Sequence, residues 1–406
     1  MTKYEYGVTR IPGRVIFGAG QRAVLGRVAA SLGRRALICT DSRLSQLPLI
    51  DDMVADLAAN GVTAEVFDGT GAELPLEGVR DCVARFREFD AEMFIGVGGG
   101  SCMDLAKVVS LLMTYPEPAS QYYGEFKVPG PIRPVIAIPT TSGTGSEVTP
   151  VAVLADPERA VKVGISSPEL IPHVAICDPE LTLSCPKELT AITGTDALSH
   201  AIEAISAIRR PRDPCMAMER VFVGKNTLSD HYALQAIKLI TENLVVAVEQ
   251  GSDLAARSAM MLGSTYAGMA FSTAGTCAAH AIQYPVGALT HTSHGIGIGV
   301  LLPYTMDFNL EASVDVYAEI ASVMGITADG GPREAAQKMI DAVRELLKQI
   351  GIPASLKDLG VKPEDLGAIA EQSMAATRLI ENNPRKLDAE GVLSILDAAM
   401  QGKQAC

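Results

Sequence analysis

The 406-residue chain has no pair of cysteines at CxxC spacing, no long basic run, and only six histidines. It also lacks any uninterrupted apolar stretch of the roughly 18 residues that a bilayer crossing needs. Each shortage excludes something. Eight scattered cysteines signal neither a zinc knuckle nor a disulfide framework, and fit reduced thiols in a cytoplasmic protein. A net charge of −13, from 34 basic against 47 acidic residues, argues against a nucleic-acid partner, which usually meets a basic face. The one local cluster, Arg209-Arg210-Pro211-Arg212, is short enough to be a solvated loop. The opening "MTKYEYGVTR" has no apolar core of a signal peptide, so a soluble chain with no membrane partner is expected. No internal repeat and no Gly/Ser-rich linker interrupts it.

What is there points to a folded protein with a large core: 48% of residues are hydrophobic and 20% charged. Up to about Pro186, short β-rich runs alternate with segments of helical period: "RALICT", "TAEVFD", "EMFIGV" and "PVIAIP", separated by stretches such as 48–60 and 76–89. That alternation predicts a parallel sheet covered by helices. The runs "VAVLAD" and "AVKVGIS" predict a hairpin turning at Asp156-Pro157. After Pro186 the chain is rich in Ala, Leu, Met and Glu at helical spacing. The expected organisation is a Rossmann-like α/β dinucleotide-binding domain over 1–186 and an all-helical catalytic domain over 187–406, with a cleft between them.

Two loops carry the nucleotide reading. "GVGGGSCMDLAK" (96–107) follows a strand and opens a helix, an arrangement that aims backbone N–H groups and a helix dipole at a phosphate. It equally suits a tight strand-to-helix turn. "PTTSGTGSEVTP" (139–150) puts hydroxyls and glycines behind another strand, so both turns would lie at the carboxyl edge of one sheet. Asp41, just past "RALICT", could accept from a ribose diol and repel a 2′-phosphate, which would select NAD over NADP; it could also cap a helix.

Three of the six histidines fall in "CAAHAIQYPVGALTHTSHG": His280, His291 and His294. "GTDALSHAIEA" adds Asp196 and His200 four residues apart, on one face if the segment is helical. Carboxylate and imidazole ligands without thiolate suit Fe(II), Zn(II), Co(II) or Mn(II). The plain alternative is a satisfied Asp–His pair and a core histidine.

These segments carry a resemblance. "GGGSCMDLAK", "PTTSGTGSEVTP", "TGTDALSHAIEA", "GMAFSTAGTCAAH" and "HGIGIGVLLPYTMDFN" stand in order as in the iron-containing (group III) alcohol dehydrogenases, over nearly the whole chain. The resemblance implies a dehydroquinate-synthase-like architecture, a divalent metal held by Asp196, His200, His280 and His294, and iron(II), with zinc(II) as the alternative. It also implies that Gly98, Gly99, Gly100, Ser101, Asp104, Thr140, Thr141, Thr144 and Lys162 contact NAD(H), and that Phe271 packs against a small alcohol or aldehyde substrate. A homodimer or higher homo-oligomer is expected.

The sequence departs from that pattern at Tyr284, where many members have a second histidine, at Ser293 in place of proline and at Thr273 in place of asparagine. A phenol titrates far above an imidazole, so proton relay at Tyr284 would change. His291 is then a spare polar residue or a substitute proton carrier. "RRPRDPCMAMERVFVGKNTLSDHYALQ" is longer than the matching loop of the shorter members, and its "GKNTLSD" resembles hydroxyacid-oxoacid transhydrogenases. One of its arginines could clamp a substrate carboxylate. The reading is therefore reversible hydride transfer between a primary alcohol and nicotinamide. Its rivals are a transhydrogenase or 4-hydroxybutyrate-type dehydrogenase, a lyase of the dehydroquinate-synthase type, and a non-catalytic sensor.

Overall fold

A computed structural model describes residues 6–159, 162–211 and 213–402. The chain divides into two compact units: residues 10–184 with Met218–Val221, and the remainder.

The first unit contains β1 (Arg14–Phe17), α1 (Leu25–Ala30), β2 (Arg35–Cys39), α2 (Pro48–Ala59), β3 (Thr63–Phe67), α3 (Leu76–Phe86), β4 (Met93–Gly98), α4 (Gly100–Thr114), β5 (Gly124–Glu125), β6 (Val135–Pro139), β7 (Val151–Leu154), β8 (Val163–Ser166) and β9 (Val174–Cys177). Six strands form a parallel sheet in the order β1-β9-β6-β4-β2-β3. β4, β6 and β9 are buried along their whole length, as expected of strands covered on both faces. The order reverses between β2 and β4, so a crevice opens at their carboxyl ends, where α/β sheets bind ligands. Asp41 follows one of these strands and Gly99 the other. The anticipated hairpin is present, with β7 antiparallel to β8 and β5 added beyond it; Ala160 and Val161 lie outside the described residues.

β1 and β9 were not anticipated from the sequence. Each is four residues long, too short for a periodic signal, and they pair across more than 150 residues, Arg14 opposite Val174.

The second unit contains α5 (Lys187–Ser206), α6 (Met216–Glu219, which runs into the first unit's segment), α7 (Thr227–Glu249), α8 (Leu254–Ala274), α9 (Ala278–Thr290), α10 (His294–Val323), α11 (Pro332–Gln349), α12 (Leu366–Ser373), α13 (Thr377–Glu381) and α14 (Ala389–Gln401). α5, α8 and α10 are largely buried, and their polar residues therefore need internal partners. α7 starts at a reciprocal cap: Asn226 Oδ1 accepts from Ser229 N at 3.2 Å and Ser229 Oγ from Asn226 N at 3.2 Å. Lys225 donates to Ile205 O and pairs with Asp230, both at 2.8 Å. "GKNTLSD" is thus explained by helix capping and loop anchoring. Among the described residues, no helix is long and apolar enough to cross a membrane.

Candidate active site

Backbone shape makes the nucleotide loops. Gly98 has φ 149°, and a Cβ there would stand 2.5 Å from Cys102 Sγ. Gly99 is extended, with open space beside it as far as Thr141 Oγ1 at 3.7 Å from where a Cβ would sit, while a Cβ on Gly100 would meet the Thr144 methyl at 2.8 Å. The chain can make this turn only with glycine at Gly98, and Gly100 lets the second loop close against the start of α4. Thr140 N donates to Gly98 O at 2.9 Å, tying the two loops together. Gly98, Gly99, Gly100, Ser101, Thr140, Thr141 and Thr144 therefore gather at the first turn of α4, a geometry of the kind that suits an anion.

The charged residues expected there have partners within the chain. Asp104 is buried and faces inward: Oδ1 accepts from Ser146 Oγ at 2.5 Å and Oδ2 from Val153 N at 2.9 Å. Lys107 Nζ lies 3.7 Å from Asp104 and donates to Ser146 Oγ, Thr149 O and Val151 O at 2.9, 3.1 and 2.7 Å. Burial lowers the Lys107 pKa to about 8, with Asp104 opposing the shift. Lys162 pairs with Glu73. Asp41 Oδ1 accepts from the N–H groups of Arg43 and Leu44, both at 2.9 Å, which caps a turn; Oδ2 stands 3.9 Å from Cys102 Sγ.

The helical unit brings the four proposed ligands together. α5 carries Asp196 and His200, α9 carries His280, and His294 opens α10. The Nε2 atoms of His200, His280 and His294 lie 3.6, 3.8 and 3.6 Å from Asp196 Oδ1. Ligand atoms of Asp196, His280 and His294 all fall within 4.8 Å of one another. Ligand bonds of about 2.1 Å to a tetrahedral ion imply donor separations of about 3.4 Å, so the spacing suits a first-row divalent ion and is too long for hydrogen bonds.

Tautomers sharpen the point. His280 Nδ1 lies 2.6 Å from Glu203 Oε2, and His294 Nδ1 lies 2.6 Å from Gln283 Oε1. Carboxylate and amide oxygens accept only, so both Nδ1 atoms carry protons, and in the neutral imidazole each Nε2 then presents a lone pair. Those lone pairs face a carboxylate oxygen. Asp196 Oδ1 and His280 Nε2 are buried without a hydrogen-bond partner among the described residues. Acceptors gathered around an acceptor repel unless a cation lies between them, so the residues fit a metal.

Glu203 also accepts from Cys277 N and Ala279 N at 2.9 and 2.7 Å. Burial works to raise its pKa, but His280 and these two N–H groups hold it below the usual carboxylate range. Neither Glu203 nor Gln283 was picked out from the sequence. The signal was available: Glu203 follows Asp196 and His200 at i+7 and i+3, and Gln283 follows His280 at i+3, spacings that share a helix face.

Phe271 stacks on His200 at 4.3 Å between ring centroids. Tyr284 is half-buried and stacks on His294 at 6.4 Å; burial raises its phenol above the ordinary value. His291 is exposed, in a left-handed conformation at the end of α9. Arg209 is exposed and Arg212 lies outside the described residues.

The comparisons agree with this geometry. A model of the iron-containing alcohol dehydrogenases matches residues 12–179, and one of the Fe-containing alcohol dehydrogenase family C-terminal region matches 190–400. The chain is 36% identical to 1,3-propanediol dehydrogenase of Klebsiella pneumoniae over 96% of its own length and 97% of the other's. It is 33% identical to sulfoacetaldehyde reductase of Bilophila wadsworthia, over 95% and 97%. A crystal structure of 1,3-propanediol oxidoreductase superposes with TM-score 0.91 at 35% identity, covering 98% of this chain and 100% of that one. With both halves matched and the ligand cluster in place, the chain belongs to the iron-containing alcohol dehydrogenase family, as a metal-dependent, NAD(H)-linked oxidoreductase.

Proposed function

We propose that the chain interconverts a short primary alcohol and its aldehyde (alcohol + NAD+ ⇌ aldehyde + NADH + H+) at the Asp196 cluster, and that Asp196, His200, His280 and His294 hold the metal. What carries this reading is the meeting of imidazole lone pairs with the buried Asp196 Oδ1. A divalent ion held there supplies Lewis acidity to the substrate oxygen, and nicotinamide carries the hydride. The protein's own residues orient and shield. Glu203 and Gln283 fix the imidazole tautomers, Phe271 gives an apolar wall beside His200, and Tyr284 stays a neutral hydrogen-bond donor at neutral pH. An O/N ligand set without thiolate suits iron(II), with zinc(II) as the alternative. Gly98 to Ser101 with Thr140, Thr141 and Thr144 would receive the pyrophosphate, and Asp41 would favour NAD over NADP. A homo-oligomer in the cytoplasm completes the reading.

The test is NADH appearance after anaerobic loading with Fe(II) or Zn(II), using primary alcohols, diols and 4-hydroxybutyrate with and without 2-oxoglutarate. NADH from alcohol alone, absent in His280→Ala, is the expected result. Consumption only when the oxoacid is present, without free NADH, would show a transhydrogenase instead.

A further inference from the structure

The four ligand residues do not stand in equal surroundings. Asp196 and His200 lie within the buried α5, and His280 lies in the first turn of α9. Their side chains are 8, 7 and 5% exposed, against 25% for His294. His294 begins α10 directly after the exposed Ser293, at a helix end, where fraying starts. The outer partners differ in charge as well. Buried Glu203 is a carboxylate that accepts from His280 Nδ1 and from two backbone N–H groups. Gln283, also buried, offers His294 Nδ1 an amide oxygen, which carries no net charge. The amide has a built seat: a Cβ on Gly297 would stand 2.9 Å from Gln283 Cγ, and one on Gly287 2.6 Å from its Nε2, so both glycines make room for it. Tyr284 stacks on His294 and Ser293 precedes it, so two departures from the family pattern adjoin this one ligand.

We propose that Gln283 makes His294 the exchangeable ligand of the metal centre, the side on which the ion enters and leaves, while Asp196, His200 and His280 retain it. The proposal rests on the metal-centre reading above and goes beyond it by ranking the ligands. A carboxylate partner makes a charge-assisted hydrogen bond about twice as strong as a neutral one, and it raises the electron density its imidazole offers a cation. An amide does less of both. Charge balance points the same way: the carboxylates of Asp196 and Glu203 together match a divalent ion, and the neutral residue at 283 adds no charge that would hold it harder.

The experiment loads the full chain with Zn(II) and follows release of zinc into an excess of a chromophoric chelator. Gln283→Glu should slow release by about 10- to 100-fold, the usual worth of an outer-shell carboxylate. A merely structural role for Gln283 would not produce that gain. Gln283→Leu, which removes the acceptor, should speed release by about tenfold, and it decides the matter alone if the Glu variant does not fold. After gel filtration, His294→Ala should retain more zinc than His280→Ala. Release unchanged or faster in Gln283→Glu, release unchanged in Gln283→Leu, or an equal or reversed order of the two alanine variants overturns the proposal. If wild type holds no zinc, the metal centre itself falls and the proposal with it. Zinc held and released in the expected order, by a protein that oxidises no alcohol, supports the proposal while the oxidoreductase reading fails.

Discussion

Two buried polar clusters of this protein use the same raw material to opposite ends. Around Asp104 in the α/β unit, each carboxylate oxygen and each proton of Lys107 has a partner within the chain. Around Asp196 in the helical unit, Nδ1 of His280 and of His294 is held by Glu203 and Gln283, while Asp196 Oδ1 and His280 Nε2 have no hydrogen-bond partner among the described residues. Both clusters combine helix spacing of three or four residues with hydrogen bonds to groups far away in sequence. Satisfaction separates them. A closed network supports the fold, and a network completed on every side but one is arranged for something the chain itself does not contain.

Mutation should divide the two clusters. The largest effect is expected for Asp196→Ala: activity should fall about a thousandfold or more, since metal polarisation is worth several kcal/mol. Thermal stability of the metal-free protein should hardly drop, because the substitution removes an unsatisfied carboxylate. Metal analysis with kinetics and a melting curve checks both halves, and a strongly lowered melting temperature would erase the contrast. Next, Lys107→Met should destabilise by about 3–5 kcal/mol by leaving Asp104 buried and unpaired; urea denaturation measures it, and bound metal per folded chain should not change. Glu203→Gln should then weaken metal affinity by about 10- to 100-fold, as the loss of an outer-shell carboxylate does, read by competition with a chelator.

The smallest effect is a pH slope. Lys107 titrates near 8 in the folded protein and at 10.5 as a free side chain, so between these values the unfolded chain binds more protons. Stability from this group therefore rises as pH increases from about 8 to 10.5. The slope should be missing from Lys107→Met, and a slope that persists there would assign it to other groups.

The family pattern was legible in sequence because glycines and ligand residues are chemically irreplaceable at fixed spacings: Gly98 for its backbone angle, Asp196 and His200 for a shared helix face. Asp104 stands in one of these motifs and Lys162 in the predicted hairpin, yet their own sequence neighbourhoods do not reveal that Ser146, Val153 and Glu73 would engage them. Glu203 was readable by helical period but looked like one more acidic residue, since nothing local says that it is buried.

By itself, then, the sequence determined element types, the two-part organisation of strands and helices, and which residues could ligate a metal, because propensity, periodicity and ligand chemistry are local properties. Tertiary structure alone decided which imidazole nitrogens face Glu203 and Gln283 and which carboxylates are engaged inside the fold, because each depends on groups that only long-range packing brings within a few ångströms.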